Sequence, residues 1–189
     1  RDGRLWFATD GGAFVLEPAA TQAIRLKPLN RPDWRPNASF VMQDSRNTIW
    51  FTGDEGVLRV TSPDRVEHLR VSSSSRDVVN AVTEVPGEGF WIAHDTDGLY
   101  FLPQHSFDQI VRHANDRGSL SAVPQVRRLT AADGLAANRV TALHLMPDGT
   151  LWAGTAEGVS MLPRAEPRAV VAARGLPTSR IYWFCRDAA

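Results

Sequence analysis

The chain has 189 residues with 21 basic and 21 acidic side chains, so it offers no net field to nucleic acid or to an anionic membrane surface. Its 43% hydrophobic and 22% charged residues are those of a folded domain, and no apolar run approaches the ~18 residues of a membrane span. One cysteine, Cys185, excludes an internal disulfide and a Cys-based zinc cluster; set in the apolar run "IYWFCRD", it reads as a buried structural thiol.

In chain order, the first residues, "RDGRLW", enter mid-motif with neither initiator Met nor signal peptide, so the chain is expected to be a piece of a longer protein. In "DGRLWFATDGGAFVLEP" (2–18), an aromatic-rich strand, the turn "DGG" and a second apolar strand ended by Pro follow one another. Trp34 and Arg35 lie in the loop-like "RPDWRPN". A second unit, "PNASFVMQDSRNTIWFTGDEGVLRVTSP", places a further apolar strand before the same pair, with a weaker fourth strand at "VEHLRV" (66–71). The third, "DVVNAVTEVPGEGFWIAHDTDGLYFLP", leads into "RHANDRGSLSAVPQVRRLTAADGLAANRV", with no useful helical periodicity and a weak strand at 125–130. This longer segment reads as an insertion, the relic of a shrunken blade, or a surface loop. The fourth unit is "NRVTALHLMPDGTLWAGTAEGVSMLP", and "RGLPTSRIYWFCRD" (174–187) repeats residues 133–146 at an offset of 41.

These are copies of one unit. Trp6, Trp50, Trp91 and Trp152 recur at intervals of 44, 41 and 61 residues, and each is followed by a turn glycine: Gly12, Gly56, Gly98 and Gly158. Four short strands in ~40–45 residues describe a β-propeller blade, a twisted sheet that buries both faces by radial stacking. The expected fold is therefore all-β, a β-propeller with about four blades present and little or no helix, as part of a larger propeller. The repeats run over about 1–35, 36–76, 77–137 and 138–173, with a partial blade strand at 174–189. The repeat tryptophans are expected to be buried and near-equivalent, and Trp34 more exposed. Register arithmetic makes 181–185 a candidate to pair with 4–8 and close the ring; an open slice is the alternative, with its unpaired edges inviting a homodimer.

The stretch "DGLAANRVTALHLMPDGTLWAGTAEGVSMLP" closely resembles the two-component regulator propeller repeat: a Gly-Leu opening, an Asn-x-Val strand, an Asp-Gly turn, a Leu-Trp-x-Gly-Thr strand and a Gly-centred turn. The second copy lacks the Asp-Gly turn, and the third has Ala93-His94 in place of Gly-Thr. The resemblance implies a periplasmic or extracytoplasmic sensor region of a bacterial hybrid histidine kinase or related diguanylate cyclase protein. It also implies a small polar ligand, carbohydrate among the candidates, no cofactor or catalysis of its own, and a downstream kinase or cyclase domain outside this sequence.

Candidate ligand contacts lie where the copies diverge. The hairpins at 9–12, 53–56, 94–98 and 155–158 all carry acid, and the inner strands start near Arg35, Arg76, Arg139 and Arg180. Carboxylates interleaved with guanidinium groups suit a hydroxyl-rich ligand, although acids in hairpins also serve as plain turn formers. The ligand-binding set is Trp34, Arg35, Arg76, His94, Asp95, Asp97, Arg139 and Arg180. "HDTDG" (94–98) is the longest hairpin, with the one histidine expected on that face, and its Asp-x-Asp-Gly lacks the further oxygen ligands of a calcium loop. No metal is assigned. A propeller lyase or hydrolase, built on His94, and a protein-interaction scaffold remain the alternatives to a sensor; no Gly-x-Ser-x-Gly elbow supports a serine nucleophile.

Overall fold

Turn residues cut the described part of the chain into fifteen short strands. In the computed structural model, which describes residues 3–29, 37–164, 171–173, 181–185 and 187, these strands form four antiparallel sheets. Blade 1 has three strands, β1 (Leu5–Thr9), β2 (Gly12–Leu16) and β3 (Ile24–Arg25). Blade 2 has β4 (Ala38–Gln43), β5 (Ile49–Gly53), β6 (Gly56–Ser62) and β7 (Arg65–Leu69). Blade 3 has β8 (Val79–Val85), β9 (Gly89–His94), β10 (Gly98–Pro103) and β11 (Arg127–Leu129). Blade 4 has β12 (Val140–Leu145), β13 (Leu151–Thr155), β14 (Gly158–Leu162) and β15 (Val171–Ala173). Each blade is a meander, and the hydrophobic cores lie between blades, which is the propeller architecture.

Successive side chains on a strand point to opposite faces, so the central strands are apolar on both. In β5, Trp50 joins the core toward blade 3 with Phe90 and Tyr100, while its neighbour Phe51 joins the core toward blade 1 with Val15 and Ala13. A third core, around Trp91, Leu99, Leu151 and Leu162, joins blades 3 and 4. The inner strands share one irregularity: pairing shifts between Ala38 and Phe40, between Val79 and Ala81, and between Val140 and Ala142. The bulge lies at Ser39, Asn80 and Thr141, the same register position in each copy. There it frees a polar side chain, and Asn80 Nδ2 donates to Val140 O of the next inner strand at 2.8 Å.

The repeat tryptophans share one strand position but not one environment. Three of them pack against the following blade: Trp6 lies 6.4 Å from Phe51 and Trp50 lies 4.7 Å from Phe90, by ring centroids, and Trp91 shares a core with Leu151 and Leu162. Trp50 and Trp91 are 1% and 6% exposed, whereas Trp6 and Trp152 are half-buried. The expected equivalence holds for register and fails for burial, because burial depends on what the next blade supplies. Trp34 lies outside the described residues.

Ring closure is not seen. Among the described residues the sheet of β1 contains β1, β2 and β3 alone, and residues 181–185 lie instead against blade 4. Thr141 Oγ1 donates to Ile181 O, as Asn80 does to Val140 O, and His144 and Phe184 rings are 6.2 Å apart. Ile181 thus stands to blade 4 as Val140 stands to blade 3. With no further layer over this segment among the described residues, Tyr182, Trp183 and Cys185 are exposed, which corrects the expectation of a buried thiol.

The segment after β10 holds one helix, α1 (Phe107–Arg117), so the long interval between Trp91 and Trp152 is an insertion between the third and fourth strands of blade 3. Phe107, Ile110 and Val111 recur at i, i+3 and i+4 and are buried on the core between blades 2 and 3. In the sequence the stripe of Phe107, Ile110, Val111 and Ala114 lasts barely two turns, too short to stand out as periodicity.

Gly12, Gly56, Gly98 and Gly158 all have positive φ, as their hairpins require. Gly98 carries a second constraint: a Cβ there would lie 2.0 Å from Leu129 O, whereas among the described residues nothing lies within 4 Å at Gly158. Gly98→Ala is therefore expected to destabilise more than Gly158→Ala, by about 1–3 kcal/mol of overpacking, in matched urea melts. Equal losses would mean that backbone strain alone sets the cost.

Candidate functional site at the hairpin end of the blades

The residue three after each repeat Trp is Thr9, Gly53, His94 or Thr155. In blades 1 and 4 the threonine closes its own turn: Thr9 Oγ1 accepts from Gly11 N–H at 3.1 Å and Thr155 Oγ1 from Glu157 N–H at 3.2 Å. His94 takes over this duty in blade 3, its Nδ1 accepting from Thr96 N–H at 3.2 Å. Nδ1 is then the bare nitrogen, so Nε2 carries the proton and donates to Asp77 Oδ1 at 3.2 Å. Asp77 also accepts from Val71 N–H and Ser72 N–H, each at 2.7 Å. Both side chains are enclosed, His94 at 0% and Asp77 at 3% exposure. The pair ties the outer-strand exit of blade 2 to the inner strand of blade 3, as Asn138 does one blade on by accepting from Ala131 N–H at 2.6 Å.

The predicted carboxylates and guanidinium groups do meet, and they meet each other. Arg139 Nε donates to Asp95 Oδ1 at 3.0 Å, and Asn80 Nδ2 donates to the same oxygen at 3.2 Å. Arg128 holds Asp97 through both its carboxylate and its backbone carbonyl, while Ser72 Oγ donates to Asp97 Oδ2 at 2.8 Å. The Tyr100 hydroxyl donates to that same carboxylate. Arg128 and Arg139 remain 44% and 47% exposed, so their outer faces are open to solvent while their inner faces are pinned. Arg76 is exposed, and its backbone carbonyl accepts from Ser74 Oγ at 2.6 Å. Arg35 and Arg180, like Trp34, lie outside the described residues.

Next to this cluster is a polar cleft of about 420 Å³ lined by Glu55, Arg70, Ser73, Ser74, Ser75 and Asp77. Its shape is fixed by Arg70 Nη2 donating to Ser74 O at 2.5 Å and by Ser74 N–H donating to Ser72 Oγ at 3.2 Å. Sequence reasoning missed Arg70, Arg128 and the serines of "VSSSSRD"; a polar run at an outer-to-inner connection was the available signal. It also missed His68, which is buried with its Nε2 against Glu55 O, so His94 is not the sole histidine of this end. Among the described residues no group of three or more His, Cys, Asp or Glu is placed to hold a metal ion.

Tyr100 is held well above its ordinary ionisation range, first by burial and then by its hydrogen bond to Asp97. Its proton is bound more tightly in the folded than in the unfolded chain. The associated stability is complete below the unfolded value, about 10, and is lost as pH rises from there. Alkaline titration at the phenolate absorbance is expected to show no ionisation of Tyr100 while the fold persists, read as wild type minus Tyr100→Phe. An ordinary step near pH 10 would place the hydroxyl in solvent.

No protein-family model and no curated protein matches the sequence. Solved structures match the fold. The extracellular domain of BT4673 from B. thetaiotaomicron, described as a hybrid two-component system, aligns over 98% of this chain and 26% of its own, with TM-score 0.72 at 14% identity. That of BT3049, described likewise, aligns over 90% and 21%, with TM-score 0.63 at 18% identity. The dihydro-heme d1 dehydrogenase NirN aligns over 94% and 36%, with TM-score 0.58 at 16% identity. The chain thus spans about a quarter of the length of the two-component domains. Among the described residues no helix is long and apolar enough to cross a membrane.

Proposed function

We propose that this chain is part of the extracytoplasmic ligand-sensing propeller of a signal-transduction protein. Its ligand is small, polar and hydroxyl-rich, with a carbohydrate as the best match, and it is taken up on the hairpin end of blades 2 to 4. The output domain, a kinase or cyclase, belongs to the full-length protein. The observation that carries this reading is the serine-lined cleft beside half-exposed Arg128 and Arg139, whose inner sides are fixed by Asp97 and Asp95. Pinned guanidinium groups lose little entropy on meeting hydroxyls, and charged groups hydrogen-bond them strongly. The likeness to extracellular domains of two-component systems supports the same reading.

Recognition fits better than catalysis because the His94 ring is buried and commits both nitrogens to the scaffold, one to Thr96 and one to Asp77. A general base needs a lone pair within reach of substrate.

The test is calorimetric titration of neutral and acidic oligosaccharides. At least one is expected to bind, and Arg128→Ala with Arg139→Ala should weaken it roughly tenfold or more, the worth of a charged hydrogen bond. Both variants should keep stability within about 1 kcal/mol of wild type, since the guanidinium groups are half-exposed and the carboxylates keep Ser72, Tyr100 and Asn80 as donors. A panel with no binder, or binding indifferent to both substitutions, would contradict the assignment.

A further inference from the structure

At the end of the blades opposite the hairpins, the repeat builds the same groove three times. Its floor is the repeat tryptophan of one blade, and its wall is a cross-strand apolar pair of the next. The pairs are Ile49 with Val60, Phe90 with Leu102, and Leu151 with Leu162, facing Trp6, Trp50 and Trp91 in turn. Two of the three grooves are occupied by the chain itself. Between blades 2 and 3, Phe107 of α1 sits edge-on to Trp50 and to Phe90, each at 5.5 Å, with the Arg59 guanidinium 4.8 Å above its ring. Between blades 3 and 4, the Arg127 guanidinium lies 5.2 Å from the Trp91 ring, and the Arg164–Glu88 ion pair spans the rim, leaving about 140 Å³.

Among the described residues the groove between blades 1 and 2 is open, at about 420 Å³. Trp6 is half-buried at its floor, Ile49 and Val60 form the wall, and the rim is polar: Gln43, Asn47, Thr61 and Ser62, with Arg4, whose Nε donates to Glu17 at 2.9 Å, beside them. We infer that this groove is a binding site for an aromatic side chain presented by a peptide segment, seated on Trp6 as Phe107 is seated on Trp50. The internal precedent fixes the class of ligand. The same floor and wall, one blade on, hold a phenyl ring carried by a turn of helix. The amide and hydroxyl rim supplies partners for the backbone of the segment that brings the ring in. Edge-to-face contact of a ring with an indole adds to the area it buries.

The probe is a synthetic peptide of residues 103–117, "PQHSFDQIVRHANDR", added to the whole chain and followed through the tryptophan indole N–H resonances, with Trp6 assigned by Trp6→Phe. The Trp6 resonance is expected to move in a saturable way while those of Trp50 and Trp91 stay in place. The same peptide with Phe107→Ala should leave it unmoved. Ser62→Arg in the protein places an arginine where Arg164 stands in the narrowed groove; it should abolish the shift and leave the other indoles at their wild-type positions. A Trp6 resonance that ignores the peptide would overturn the inference, as would one that responds equally to the Phe107→Ala peptide. So would one that moves with glucose or maltose and not with the peptide, which would make the groove a sugar subsite.

Discussion

Replacing Trp50 with Ala is expected to cost about 3–5 kcal/mol, the range for truncating a large aromatic residue in a core, whereas Trp152→Ala should cost less than half as much. Trp50 is 1% exposed and wedged among Phe90, Phe107 and the blade 3 strands, so its loss opens a cavity that two sheets and α1 cannot collapse to fill. Trp152 holds the same register, opposite Met161 on β14, but its face is half-buried, so less apolar area is at stake. In a chain of this size 1 kcal/mol moves the melting point by roughly 2–4 °C. The two variants should separate clearly in parallel thermal or urea melts. Equal losses would mean that strand position, not the neighbouring blade, sets the contribution of each tryptophan.

Asp77→Ala should be comparably damaging, at about 3–5 kcal/mol. It strands three buried donors at once, the N–H groups of Val71 and Ser72 and the Nε2–H of His94, and each unsatisfied donor costs roughly 1–3 kcal/mol. Asp77→Asn should fall between, because an amide oxygen still accepts; Asn138 fills the equivalent position in the next blade. His94→Thr should be milder than Asp77→Ala, since threonine closes this turn unaided in blades 1 and 4. Stability measured by urea unfolding gives the order. An Asp77→Ala variant within 1 kcal/mol of wild type would show that the linkage does not hold the blades together.

The period of the fold was legible because radial stacking forces each blade to present the same residues at the same places: a Trp on the second strand, a positive-φ glycine in the hairpin, a proline past the third strand. What one blade does to the next was not. Nothing near Trp6 or Trp152 in the chain marks them as half-buried, since that depends on residues about forty positions away. His94 was visible as the odd residue of its register, yet its direction depends on Asp77, which arrives from the neighbouring loop. Asp95 and Asp97 were found as acids beside arginines, but Arg128, which holds Asp97, comes from the far side of the α1 insertion. The alignment of 181–185 with 140–144 was right about kinship and wrong about partner. The segment takes the place relative to blade 4 that Val140 takes relative to blade 3, rather than reaching β1.

Amide chemical-shift mapping with the tightest-binding saccharide of the calorimetric panel tests the recognition face most directly. Saturable shifts are expected at residues 73–76, 95–97, 128 and 139, with the turns at 44–48 and 147–150 unmoved. Shifts concentrated in those opposite turns, with the serine cleft and Arg128 silent, would contradict it.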